Sequence, residues 1–333
     1  MPCILLAQNA TTETLIHDNI ERSYILYVPS SYDGANSVPL VLNLHGYSSN
    51  AGQQMIYSKF YEIADIEGFI LIHPEGTINN LGEQFWNIAD FSEIDDVGFL
   101  SALIDTVSGE YNINTNRVYA MGMSNGGFMS YQLACELSDK IAAIASVTGS
   151  MLADQIMSCS PNRPVPVMQI HGTADQIVLY EGEPLSGIVS IDDVVSYWVS
   201  FNNCYSEAFL SIIPDNNTFD LSTVEHYVYD GGNNDSSVEF YKVINGGHTW
   251  PGAEIPLFGN NTNQDFNASQ EIWGFFNKYN INGLIDTNSN IQERETKKKK
   301  LKSIDILGRE TNNKGFQLYI YDDGSVEKKY IIK

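Results

Sequence analysis

Residues 117–127 read RVYAMGMSNGG: a short strand-like apolar run, a break at Gly122-Met123-Ser124-Asn125-Gly126, and then Phe128, Met129, Leu133, Ala134 and Leu137 at helical spacing. Few folds place a serine between a buried strand and a helix with glycine two residues to either side. A sharp strand-to-helix turn lifts the serine hydroxyl above the sheet edge, and the backbone beside it must pass without Cβ atoms. The five residues alone also fit a plain turn with a surface serine. The surrounding chain decides between the two.

Similar units recur along the chain. Val38–Leu44 is a near-continuous apolar run that leads into His45-Gly46-Tyr47, and Phe69–Ile72 leads into His73-Pro74-Glu75-Gly76. Ile141–Val147 and Val165–Ile170 read the same way, the second running into His171-Gly172-Thr173-Ala174-Asp175. Such runs fit parallel strands buried on both faces. Arg22–Val28, Val224–Tyr229 and Val238–Ile244 are further strands, and the last leads into Asn245-Gly246-Gly247-His248-Thr249-Trp250. Between them lie helical stripes: Ile56, Phe60, Ile63 and Ala64 closed by Gly68; Leu100, Leu103, Ile104 and Val107 capped by Asp95 or Asp96; Val194–Phe201; and Ile272, Phe275, Phe276 and Tyr279. A turn-rich insertion, Thr77–Glu93, carries Phe85 and Trp86. Strands alternating with amphipathic helices predict an α/β domain with a mainly parallel sheet.

In open parallel sheets, functional side chains gather at the carboxyl ends of strands. Ser124, Asp175 and His248 each follow a predicted strand there, in the chain order of α/β-hydrolases. Serine needs a base within hydrogen-bonding reach and a third group to orient that base. His248 is read as the base and Asp175 as its orienting acid. The developing oxyanion needs fixed donors, for which the backbone N–H groups of Asn125 and Tyr47 are the candidates. His45, His73 and His171 also stand at strand ends, but each precedes a Gly or Pro in a tight turn, which favours a structural role. Trp86 and Trp250 are the candidate substrate-binding aromatics; for Trp250, packing beneath the histidine loop fits equally well. No metal is called for, since no His pair or His/carboxylate cluster has ligand spacing, and no cofactor is needed.

Charge marks a boundary. The 333 residues hold 18 Lys+Arg and 41 Asp+Glu, a net of −23, yet 11 of those basic and 8 of those acidic residues lie from Asp286 onward. Residues 1–285 therefore carry a net of −26, which repels phosphate backbones and argues against nucleic-acid binding. No apolar run reaches transmembrane length. The expected organisation is a catalytic domain over 9–285, a polar linker over 286–300 and a small β unit over 301–333, with turns at Gly308 and Asp323-Gly324. Residues 1–8, MPCILLAQ, read as a signal-peptide remnant or as an ordinary first strand. Cys135 and Cys159 could pair in an exported protein or stay as buried thiols.

The segments LHGYSSNA, HPEG, DDVGFLSALID, GMSNGG, RPVPVMQIHGTADQIV, EFYKVINGGHTWPG and SQEIWGFF resemble the secreted esterases that include poly(3-hydroxybutyrate) depolymerase-like proteins and feruloyl or acetyl-xylan esterases, carbohydrate esterase family one. The resemblance covers roughly residues 20–280. It implies an α/β-hydrolase fold, Ser124, Asp175 and His248 as the triad, and an ester substrate linked to polysaccharide; the alternatives are a polyester substrate and a non-catalytic surface binding module on the same fold, against which the intact triad argues. Many relatives pair the cysteine matching Cys204 with one located where this chain reads Tyr229-Asp230-Gly231-Gly232, so Cys204 is expected to be free and the loop looser. The tail LKSIDILGRETNNKGFQLYIYDDGSVEKKYIIK resembles a type IX secretion sorting domain. That resemblance implies the secretion machinery as a partner and a secreted or surface-attached protein.

Overall fold

The structure, a computed structural model, describes residues 9–88, 92–254 and 261–285, together with 300–304, 309, 311, 315–321 and 326–331. The expectations for residues 1–8, most of the 286–300 linker, Gly308 and Asp323-Gly324 lie outside the described residues. The chain forms two compact units, Met1–Leu284 and Ile285–Lys333.

In chain order the first unit runs β1 (Ala10–His17), β2 (Ile20–Tyr27), β3 (Val38–Leu44), α1 (Ala51–Ser58), α2 (Phe60–Glu67), β4 (Ile70–Pro74), β5 (Thr77–Ile78), β6 (Gln84–Phe85), α3 (Asp96–Glu110) and β7 (Ile113–Met123). It continues with α4 (Asn125–Glu136), β8 (Ala143–Val147), α5 (Ala153–Ser158), β9 (Val167–Gly172), α6 (Ile191–Phe201), β10 (Phe209–Ile213), β11 (Thr223–Tyr229), β12 (Val238–Ile244), α7 (Ala268–Phe276), β13 (Tyr279–Asn280) and β14 (Gly283–Leu284). One ten-stranded sheet has the order β1-β2-β4-β3-β7-β8-β9-β12-β11-β10. From β4 to β12 all neighbours are parallel, and the strands outside them pair antiparallel. The α/β class with a mainly parallel sheet is thus the observed one.

The parallel strands have a core on each face. Leu40, Leu42 and Leu44 of β3 join one core with Phe99 and Leu103 of α3 and Trp198 of α6, while Val41 faces the other with Phe60 of α2 and Trp273 of α7. Burial on both faces is why these strands read as unbroken apolar runs. β1 shows the contrary pattern. Its burial alternates weakly at the sheet edge, so periodicity gave no strand there.

Two local features depart from expectation, and a third decides between two expected caps. The stripe from Ile56 to Ala64 belongs to two helices, because Lys59 adopts a left-handed conformation (φ 49°) between α1 and α2. Asp95 alone caps α3, its carboxylate accepting the Gly98 N–H at 2.7 Å, whereas Asp96 is buried and accepts from Arg22 Nη2 at 2.7 Å. Tyr279 lies past the end of α7, in β13.

Cys135 and Cys159 are joined by a disulfide spanning 24 residues. Closing a loop of that length in the unfolded chain contributes about 3 kcal/mol in a chain-entropy account. Cys204 is free, and burial pushes its thiol up to about 11. The expected looseness nearby is offset by backbone bonds: Tyr205 N–H donates to Asp230 O at 2.9 Å, and Asn233 N–H to Asn202 O at 2.8 Å.

The second unit holds β15 (Lys300–Ile304), β16 (Gly315–Tyr321) and β17 (Val326–Ile331), an antiparallel three-stranded sheet.

Candidate active site

β7, a central strand, delivers Ser124 to the carboxyl end of the sheet and α4 starts at the next residue. Ser124 has φ 54° and ψ −120°, outside the regions a residue with a Cβ ordinarily occupies. Holding it there costs on the order of 1–3 kcal/mol, which the surrounding packing must supply. The two glycines are steric necessities. A Cβ on Gly122 would lie 2.4 Å from the Gly126 carbonyl carbon, and one on Gly126 would lie 2.3 Å from Leu44 O. β7, α4 and the end of β3 meet too closely for any side chain at either position.

Asp175 follows β9 and His248 follows β12, neighbouring parallel strands, so their loops emerge side by side. His248 Nδ1 lies 2.8 Å from Asp175 Oδ2, both side chains being buried. The carboxylate accepts, so Nδ1 carries the proton and Nε2 is left as the free acceptor. Asp175 Oδ1 accepts the N–H groups of Ile177 at 2.8 Å and Val178 at 3.0 Å, which fixes the carboxylate plane. Ser124 and His248 open onto one cleft of about 740 Å³.

The loop after β3 closes another side of Ser124. A Cβ built on Gly46 would stand 3.4 Å from Ser124 Cβ and 4.0 Å from its Oγ. The Gly46–Tyr47 peptide is therefore adjacent to the hydroxyl. The Asn125 N–H belongs to the first turn of α4, where backbone donors have no intrahelical acceptor. Tyr47 itself is 48% exposed at the cleft, and its hydroxyl donates to Glu83 and accepts from Asn79 Nδ2 at 2.8 Å.

The tryptophans stand elsewhere. Trp86 and Trp250 are each 1% exposed, and neither lines the cleft. Trp86 Nε1 donates to His45 O at 2.9 Å, and Trp250 Nε1 donates to Ser269 Oγ at 3.0 Å. Their polar handles are spent inward, so the expectation that they bind substrate is corrected: both pack beneath the site. The cleft is lined instead by Tyr47, Gln53, Ile56, Tyr57, Ile177 and the buried Met123, with Lys59 and Glu254 forming an ion pair at 2.5 Å on its lining. Sequence reasoning passed over Gln53 and Tyr57 and read Ile56 only as part of a helical stripe. Their i, i+3, i+4 spacing on α1, directly after the His45-Gly46-Tyr47 turn, was the available signal.

His45, His73 and His171 are fully buried. Burial lowers all three, His45 to about 4 and His73 to about 3. His45 accepts the Gly76 N–H at Nε2 (2.9 Å), and His171 lies 2.9 Å from Val178 O through its Nε2. None of the three lines the cleft that Ser124 and His248 share.

Residues 22–192 match the family described as esterase PHB depolymerase. The chain is 26% identical over 269 residues to the bifunctional acetylxylan esterase/xylanase XynS20E of Neocallimastix patriciarum, covering 81% of this chain and 35% of that protein. It is 30% identical over 198 residues to feruloyl esterase B of Piromyces equi, covering 56% and 36%. It thus spans about a third of the length of these two relatives. Among solved structures, the acetyl xylan esterase from Aspergillus awamori superposes with a TM-score of 0.60 at 12% identity, covering 80% of this chain and 99% of that one. A thermostable esterase gives 0.51 at 15% identity, covering 82% and 63%. These likenesses show a shared fold, a mainly parallel sheet flanked by helices. With the family match running over slightly more than half of its residues, this chain belongs to the esterase PHB depolymerase family.

Proposed function

We propose that this protein is a secreted serine carboxylic-ester hydrolase that works through an acyl-enzyme and removes feruloyl or acetyl groups from polysaccharide. The observation that carries the reading is the meeting of a strained serine with a buried, aspartate-held histidine on one cleft. Ser124 Oγ attacks the ester carbonyl and its proton passes to His248 Nε2. The oxyanion is held by the N–H groups of Asn125 and Tyr47, each donor being worth about 10²–10³ in turnover. As the tetrahedral intermediate collapses, the C–O bond to the alcohol breaks and His248 protonates the leaving oxygen. Water, activated by the same imidazole, then cleaves the Ser124 ester and releases the acid. Asp175 holds the imidazole in the required tautomer and stabilises its charged form.

The substrate class rests on the names of the relatives and on the lining of the cleft, where Tyr47, Ile56, Tyr57, Met123 and Ile177 offer room for a planar acyl group. The family description favours polyester as the second reading. Among the described residues no helix is long and apolar enough to cross a membrane. The tail's resemblance to a type IX sorting domain supports delivery by that machinery to the medium or the cell surface.

The test is a side-by-side assay on methyl ferulate, acetylated xylan and polyhydroxybutyrate film. Turnover of methyl ferulate or release of acetate from xylan is the expected result. Activity confined to the film would reverse the ranking.

A further inference from the structure

Trp86 and Asn125 tie the turn-rich insertion to the loop that flanks Ser124. The Asn125 side chain clasps the Trp86 backbone twice: its Oδ1 accepts the Trp86 N–H at 2.6 Å and its Nδ2 donates to Trp86 O at 3.1 Å. The Trp86 indole Nε1–H in turn donates to the His45 carbonyl at 2.9 Å, in a fully buried contact. That carbonyl is confined on its other side, since a Cβ on Gly126 would lie 2.7 Å from it. The His45 ring sits 5.1 Å from the indole, accepts the Gly76 N–H at Nε2 and donates from Nδ1 to Gly46 O at 2.8 Å. Gly46 O also accepts the Ser49 N–H at 3.1 Å.

Two donors thus hold the carbonyl of the Gly46–Tyr47 peptide. In a planar trans peptide the N–H points opposite to the C=O. Fixing Gly46 O therefore fixes the direction of the Tyr47 N–H, which has no protein acceptor among the described residues. We propose that Trp86 and Asn125 are positioning residues for oxyanion stabilisation, acting through His45 to aim the Tyr47 N–H at the oxygen that becomes charged. The inference deepens the proposed function and rests on the reading of Ser124 as nucleophile. It gives the Asn of the Gly122–Gly126 motif two uses, its N–H as a donor and its side chain as an anchor for the opposite donor.

The test is Trp86→Phe, which keeps an aromatic ring and deletes the indole N–H, with Asn125→Ala as an independent variant that keeps the backbone donor. Each is compared with wild type on p-nitrophenyl acetate and with a trifluoromethyl ketone, whose hemiketal oxygen occupies the oxyanion position. The expected result is a fall in kcat of roughly 10–100-fold, part of the effect of losing a donor outright. KM should move less than about threefold, and ketone affinity should fall in step with kcat/KM, as it does for interactions made only in the transition state. Unchanged kcat in either folded variant, or lost kcat with unchanged ketone affinity, would overturn the proposal. If Trp86→Phe fails to fold, Asn125→Ala decides. Ser124→Ala run in parallel separates the two levels: turnover retained there removes the serine reading itself, whereas an inactive Ser124→Ala beside a fully active Trp86→Phe removes only the positioning role.

Discussion

Ser124→Ala should lower kcat on a p-nitrophenyl short-chain ester by about 10⁴–10⁶, the range seen when a triad nucleophile is removed. The melting temperature should stay close to that of wild type. Two features make this a clean substitution. The Ser124 side chain makes no capping hydrogen bond at the start of α4, so deleting its oxygen orphans no backbone group there. Alanine also keeps the Cβ, so the backbone strain at φ 54° is the same in both proteins. Binding surface at the cleft is otherwise untouched, and KM of any residual reaction should change little. Initial rates and thermal melts on the same preparations check both halves of the expectation. Turnover within tenfold of wild type would place the nucleophile elsewhere.

Much of this site was readable from the sequence because its parts are imposed by backbone geometry. Gly122 and Gly126 stand where neighbouring backbones come within 2.4 Å of any added Cβ, and such positions leave a visible mark in the chain. Asp175 and His248 were legible because each follows a predicted strand at the carboxyl end of a parallel sheet, where functional side chains gather; that their strands are neighbours is visible only in the structure. Depth was not legible. Trp86 lies in a turn-rich insertion and Trp250 beside His248, and nothing in their neighbours tells a wall from a foundation. Their burial depends on tertiary partners, His45 O and Ser269 Oγ, located 41 and 19 residues away. The edge strands were hidden for a related reason. β10 is largely exposed and carries no inward apolar alternation, so its only signature is its pairing with β11.

Removal of residues 286–333 should leave esterase activity in cell lysate while abolishing export. The first half follows from the architecture. Ser124, Asp175, His248, Tyr47 and Asn125 all lie in the unit that ends at Leu284, which has its own two-faced core and disulfide. The separate unit is an antiparallel sheet of three strands, too small to contribute much buried area. The second half rests on the resemblance of that tail to a type IX sorting domain. Activity counted separately in lysate, medium and washed cells distinguishes the two. Equal export of the full and shortened chains would remove the sorting role, and an inactive shortened chain in lysate would make the tail part of the catalytic unit.

Acylation at Ser124 is the central claim, and trapping the intermediate tests it most directly. The protein is mixed with a p-nitrophenyl ester whose bulky acyl group slows deacylation, quenched in acid and digested for mass spectrometry. Release of one equivalent of p-nitrophenolate, matched by a single acyl adduct on the peptide containing Ser124 and absent from Ser124→Ala, is the predicted result. An adduct on another residue, or ester cleavage that survives in Ser124→Ala, would contradict it.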